Sequence, residues 1–140
     1  MNKEVFKQNH IEDCIFIEIP KIIDTRGNLA VIENDILPFD IRRVYYLYNV
    51  PAGAYRGGHA HREQLELLIA ISGSFTVIID DGKERKQILL NRPDTGLLLP
   101  QGIWRELKDF SQGSVCLVLN SGKFDESDYI RDYDKFVRLK

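Results

Sequence analysis

Apolar runs in this chain are short, and glycine, proline, aspartate or asparagine follows most of them before they reach helical length. That punctuation confines most of the chain to strands. Residues 14–19 alternate around Ile15, Ile17 and Ile19 until Pro20 stops them; a turn cluster from Lys21 to Asn28 precedes a short strand at 29–33. After a loop holding Pro38, residues 43–48 are rich in β-formers and read as a central strand. Residues 67–71 and 74–79 flank Ser72-Gly73 as a hairpin, and Asp80-Asp81-Gly82 turns the chain into a strand at 86–90. Further strands are expected at 95–100, 103–107 and 114–120, the last of them buried. Many short strands with such turns argue for an all-β sandwich or barrel. Only the tail breaks the rule. Asp125 to Asp128 offers caps, and Tyr129, Ile130, Tyr133, Phe136 and Val137 recur at helical spacing, so one amphipathic helix is expected at about residues 126–138.

Length and charge narrow the class. The 140 residues fit a single domain, 1–140, with a real core. A net charge of -2 offers no basic excess for nucleic acid or a membrane surface, and no apolar run approaches a membrane span. The N-terminus lacks a signal-peptide core, which fits a soluble cytoplasmic protein. Cys14 and Cys116 lack metal-motif spacing, sit among apolar neighbours and read as buried free thiols.

The chemistry concentrates between Gly53 and Gly73, where His59 and His61 stand one residue apart and Glu66 follows. On a strand, period-two geometry puts both histidines on one face, whereas Glu66 has the opposite parity and joins them only if a bulge shifts the register. Two imidazoles and a carboxylate can hold a divalent metal, or work as acid and base without one. The spacing resembles the first motif of the cupins, Gly-x5-His-x-His-x4-Glu-x6-Gly, and the resemblance implies a cupin-type jelly-roll β-barrel. Metal-binding cupins take a further histidine from Pro-x-Gly-x-x-His. Here the matching segment runs from Pro100 to Arg105 and ends on a residue without a lone pair, whose fixed charge repels a cation. No metal and no cofactor is therefore expected.

A narrower resemblance runs along nearly the whole chain. Its segments are Lys21 to Leu29, Arg43-Val-Tyr-Tyr46, Arg56-Gly-Gly-His59-Ala-His61, Asp80-Asp81-Gly82, Trp104 to Ser111 and Asp128 to Tyr133. They are similar to the WxcM-like sugar 3,4-ketoisomerases of bacterial surface-polysaccharide pathways. The resemblance implies a metal-independent isomerase that converts a dTDP-4-keto-6-deoxyhexose to its 3-keto isomer. It also implies a homodimer with exchanged N-terminal strands, residues 14–19 being the candidate, and an aminotransferase as the usual consumer of the product. Two positions depart from the family pattern: Glu66 stands for glutamine and Arg105 for the histidine after Trp104. Opposite in sign and both expected to face the pocket, they are positioned to form an ion pair, and the change bears on the C4 configuration of the product.

Moving a ketone from C4 to C3 removes the C3 proton, passes through an enediol and returns a proton to C4. Histidine supplies a base of suitable pKa. His61 is taken as the base and His59 as its partner or second acid, an order that the sequence leaves open. Of the tyrosines at 45, 46 and 48, Tyr46 is placed inside as the catalytic hydroxyl. Arg56 and Arg105 are candidates to stabilise the enediolate, alongside Glu66 in the substrate pocket. Arg26 suits a diphosphate, or else braces its turn through Asp24. Trp104 stacks on substrate or simply packs. Arg42 and Arg43 read as a solvated pair. The competing function classes are a metal-dependent cupin enzyme and a non-catalytic sugar-nucleotide-binding barrel.

Overall fold

The structure is a computed structural model that describes residues 6–140; the first five, part of the signal-peptide reading, lie outside the described residues. Two five-stranded antiparallel sheets face one another. The strands are β1 (Ile15–Glu18), β2 (Lys21–Ile22), β3 (Leu29–Ala30), β4 (Arg43–Tyr48), β5 (Arg56–His61) and β6 (Glu66–Ser72), continued by β7 (Phe75–Asp80), β8 (Arg85–Leu90), β9 (Thr95–Leu99), β10 (Trp104–Lys108), β11 (Val115–Asn120) and β12 (Tyr129–Ile130). One sheet has the order β1-β9-β6-β11-β4 and the other β12-β5-β10-β7-β8, with β2 and β3 as a separate two-stranded ribbon. The expected all-β jelly-roll architecture is present, as an open pair of sheets wrapped round a shared interior. Nearly every expected strand appears within a residue or two. β4 differs in rank: it is a sheet edge, because only β11 pairs with it.

Alternation along each strand sorts side chains into three apolar layers. Phe75, Val77, Leu97, Leu99 and Cys116 fill the space between the sheets. Ile19, Leu67, Ile69 and Leu119 form a second layer outside the first sheet, with Ile32, Ile36 and Phe39 packed on it. Phe6, Ala60, Trp104, Ile130 and Phe136 make a third beneath the C-terminal helix. At roughly 1.5–3 kcal/mol for each large side chain taken out of water, these layers supply the main force that holds the sheets together.

The tail departs from the expected helix over 126–138. Asp125 instead caps a single 3₁₀ turn (Glu126–Asp128), and Tyr129–Ile130 pairs with His61 and Ala60 on β5. The α-helix, α1, covers only Tyr133–Leu139, with the Asp132 side chain accepting from the amides of Asp134 and Lys135. Pairing with a sheet edge overrode the helical spacing of Tyr129 and Ile130. Both cysteines are free thiols, as expected; Cys116 is buried and Cys14 half-buried, enough to push the Cys14 thiol up to about 12. No helix among the described residues is long and apolar enough to cross a membrane.

Candidate active site

One end of the space between the sheets stays open as a cavity of about 330 Å³. Each wall is set by strand parity. From β5, Gly57 and His59 face in while Ala60 packs outward under α1. A register shift between β5 and β10 brings Arg105 opposite His59, and Gly57 at φ 71° supplies the backbone turn there. From the facing sheet, Arg43, Tyr45 and Leu47 of β4 and Glu66 and Leu68 of β6 line the other wall. Glu66 therefore joins the histidines from the opposite sheet, not through a bulge between His61 and Glu66. The chain leaves β5 at His61, turns, and returns as β6 in the opposite sheet.

The centre is a buried ionic network. Arg105 and Glu66 are each 1 % exposed, and Arg105 Nη1 donates to Glu66 Oε1 at 2.6 Å, the expected ion pair. Glu66 Oε2 accepts from the Tyr45 hydroxyl and from Asn120 Nδ2, both at 2.8 Å. The other guanidinium nitrogens of Arg105 donate to the Ile103 carbonyl. Burial alone would raise the Glu66 carboxyl, but the His61 ring and the Arg105 charge overcome it and hold Glu66 below the usual carboxylate range. Burial, and then the negative charge of Glu66, push the Tyr45 hydroxyl well above its ordinary value, so it stays protonated.

The two histidines are stacked in depth. His59 lines the cavity, whereas His61 is fully buried behind it, with their Nε2 atoms 3.2 Å apart. Asp128 binds His61 Nδ1 at 2.9 Å from the far side, and the Tyr129 ring packs against both imidazoles. Of the two, His59 is the one that lines the cavity, and His61, taken above as the base, lies behind it. Burial, the Arg105 charge and the neighbouring His61 lower His59 to about 2, so it is neutral at ordinary pH.

Three further expectations are corrected. Tyr46 points outward and is exposed; Tyr45, one residue earlier, is the inward tyrosine. Trp104 cannot share a face with its neighbour Arg105. It packs edge-on to Tyr133 and against Phe136 under α1, and donates to Glu106. Arg26 lies in the exposed turn between β2 and β3, clasping Asp24 through two nitrogens, the contact of the turn-bracing alternative, and lines no part of this chain's own cavity. Arg56 does line the cavity, as expected.

Arg43, expected to be solvated, is also a wall residue. Its Nη2 donates to Gln64, and its buried Nε has no hydrogen-bond partner among the described residues. Arg131 lines the same cavity and stacks over Tyr129 at 4.3 Å. The parity of Arg43 with Tyr45 is the sequence signal for the first. Arg131 and Asp128 are hidden by the helical spacing of the tail.

His59, His61 and Glu66 each offer a donor atom within 4.8 Å of the others, a spacing open to a divalent ion. The charge and hydrogen bonding of Glu66 oppose one: Arg105 already binds Oε1, and Oε2 accepts from Tyr45 and Asn120. The Arg105 guanidinium adds repulsion within the same network.

Comparisons with known proteins agree with this geometry. Residues 12–140 match the family model described as FdtA: WxcM-like, C-terminal. A TDP-4-oxo-6-deoxy-alpha-D-glucose-3,4-oxoisomerase of Aneurinibacillus thermoaerophilus is 45% identical over 123 residues, 87% of this chain and 88% of that protein. The WlaRB TDP-quinovose 3,4-ketoisomerase of Campylobacter jejuni is 44% identical, with TM-score 0.86 over 91% of this chain and 98% of that one. A histidine-to-asparagine variant of the QdtA 3,4-ketoisomerase from Thermoanaerobacterium thermosaccharolyticum, solved with TDP-4-keto-6-deoxyglucose, is 40% identical; its TM-score is 0.88, over 89% of this chain and 91% of that one. With its matching sequence and fold, the chain is an isomerase belonging to the FdtA, WxcM-like family.

Proposed function

We propose that this protein is a TDP-sugar 3,4-ketoisomerase that works by acid–base proton transfer without a metal. The observation that carries this reading is the conjunction, in one cavity, of a neutral His59 with the Glu66–Arg105 pair and the protonated Tyr45. His59 removes the C3 proton of a TDP-4-keto-6-deoxyhexose. The C–H electrons form the C3–C4 double bond, and the negative charge that develops on O4 meets the Arg105 guanidinium. The O3 proton is then lost as the ketone forms at C3, and C4 receives a proton. Tyr45 stands on the wall opposite His59 and is the donor we assign to that last step. Arg43, Arg56 and Arg131 give the cavity the guanidinium groups that a diphosphate needs, the role expected of Arg26.

Pathway and assembly belong to the same proposal. A 3-keto-6-deoxy sugar is the natural substrate of an aminotransferase making deoxyamino sugars for surface polysaccharide, in the cytoplasm. A homodimer is supported by apolar side chains left bare on the N-terminal segment, among them Ile15, Phe16, Ile22 and Ile23, and by the exposed Tyr46 and Tyr48 of the edge strand β4. β1 pairs with β9 of its own chain here; exchange would keep that register while taking β1 from the partner.

The test is turnover of TDP-4-keto-6-deoxyglucose coupled to an aminotransferase. His59→Asn should abolish turnover while TDP affinity stays within a few-fold. Full activity in that variant would refute the assignment.

A further inference from the structure

The proposed reaction asks a buried histidine with little affinity for protons to accept one from carbon. The hydrogen bonds behind it show where the charge goes. Asp128 is a carboxylate and can only accept, so its 2.9 Å contact fixes a proton on His61 Nδ1. The two Nε2 atoms, 3.2 Å apart and shut off from solvent, hold one proton between them, since two N–H groups would collide and two lone pairs would repel. In the resting arrangement inferred here the Nδ1 proton leaves His61 Nε2 to accept, so the shared proton belongs to His59 Nε2. The lone pair of His59 is then on Nδ1, its remaining ring nitrogen. The groups facing His61 are Asp128 on one side and Glu66, whose Oε2 lies 3.5 Å from Nε2, on the other. Arg105 is attached to the second oxygen of Glu66, and the Tyr129 ring closes the site.

Resting on the isomerase reading above, we propose that Asp128 is a positioning residue that makes His59 and His61 act as a single base. The C3 proton goes to Nδ1 of His59, the Nε2 proton of His59 passes to Nε2 of His61, and the positive charge comes to rest between Asp128 and Glu66. The electron pair of the C3–H bond stays with the substrate as the enediolate, so the step balances with no other reactant. The low proton affinity of His59 ceases to be an obstacle, because the charge does not stay on it. Tyr45 and Arg105 remain on the substrate side, free to answer the charge on oxygen.

The backbone makes this testable. Asp128 Oδ1 accepts from the Glu63 amide at 2.7 Å, while its other oxygen receives only a longer bond of 3.3 Å from the Gln64 amide. In Asp128→Asn the Glu63 amide therefore keeps the side-chain oxygen, and the new NH₂ group is turned on His61 Nδ1. That forces a lone pair onto Nδ1 and a proton onto Nε2. His59 Nε2 must then accept, and its own proton moves to the nitrogen that should take the substrate proton. Asp128→Ala merely frees His61 to adopt either tautomer.

Turnover and 15N NMR of the ring nitrogens are measured for the wild type and both variants, with TDP affinity and thermal midpoint as controls. Asp128→Asn is expected to lower kcat by about 10³-fold or more, since a wrong tautomer is that costly in a related arrangement. Asp128→Ala should lose less, about 10- to 100-fold, with KM and TDP affinity within a few-fold in both variants. The 15N spectrum should show His61 Nδ1 as an N–H in the wild type and as a lone-pair nitrogen in Asp128→Asn. A purely structural role gives the opposite order, because asparagine is the better mimic of shape. Higher activity in Asp128→Asn than in Asp128→Ala, or the same His61 tautomer in wild type and Asp128→Asn, would overturn the inference. Where alanine does not fold, the tautomer of Asp128→Asn decides alone. Failure of the wild type to convert the sugar nucleotide refutes the isomerase reading, and the tautomer comparison then decides separately whether Asp128 sets the protonation of the histidine pair.

Discussion

Arg105→Met removes one half of a buried ion pair, since Arg105 and Glu66 are each 1 % exposed. Breaking a buried pair from one side generally costs about 3–5 kcal/mol. The structure places the two single variants at different points in that range. Without Arg105, Glu66 still accepts from Tyr45 and Asn120 and still faces His61, so about 3 kcal/mol is expected. Without the Glu66 charge, in Glu66→Gln, the guanidinium keeps only the Ile103 carbonyl as a full partner, and about 4 kcal/mol is expected. Combining the two removes both charges and should cost less than the worse single change, a coupling of about 2 kcal/mol or more. For a domain of this size, about 3 kcal/mol corresponds to a fall of roughly 10 °C in Tm. The assay is a denaturation cycle followed by Trp104 fluorescence, since this is the sole tryptophan and it packs between Tyr133 and Phe136. Additive losses would refute the reasoning.

Acid should unfold the protein early. The folded state holds His59 near 2 against an ordinary value of 6.5, so below about 6.5 the unfolded chain binds the extra proton and stability falls with pH, by about 1.4 kcal/mol per unit from this one group. His59→Gln should flatten that slope between about pH 6.5 and 5 in urea titrations, and an unchanged slope would show that His59 is not held neutral. Tyr45→Phe should lower kcat at least about 10-fold as a proton donor is lost, whereas Tyr46→Phe should leave it unchanged; matching losses would contradict the parity of β4. Light scattering at micromolar concentration should give a dimer mass, and a monomer would remove the proposed exchange.

Most of the fold is legible in the sequence because turn chemistry and period-two alternation are local, and strands such as 43–48 or 86–90 carry both. The same alternation, followed along a whole strand, separates Trp104 from Arg105 and puts Arg43 beside Tyr45. What local reading cannot supply is the identity of the facing element. Glu66 meets the histidines from the opposite sheet, and Asp128 reaches His61 from a tail whose Tyr129 and Ile130 repeat at helical spacing yet pair with β5. The order of the two histidines has the same origin. Parity places them on one face, but only the third dimension says which one stands behind the other.

The central claim is metal-free proton transfer between C3 and C4 of a TDP-bound keto sugar. It is tested most directly by incubating chelator-treated protein with TDP-4-keto-6-deoxyglucose in D₂O and following the sugar ring by NMR. The expected result is a 3-keto product carrying deuterium at C4, formed at the same rate with and without EDTA. Unchanged substrate, or turnover that returns only when a divalent metal is added, would contradict it.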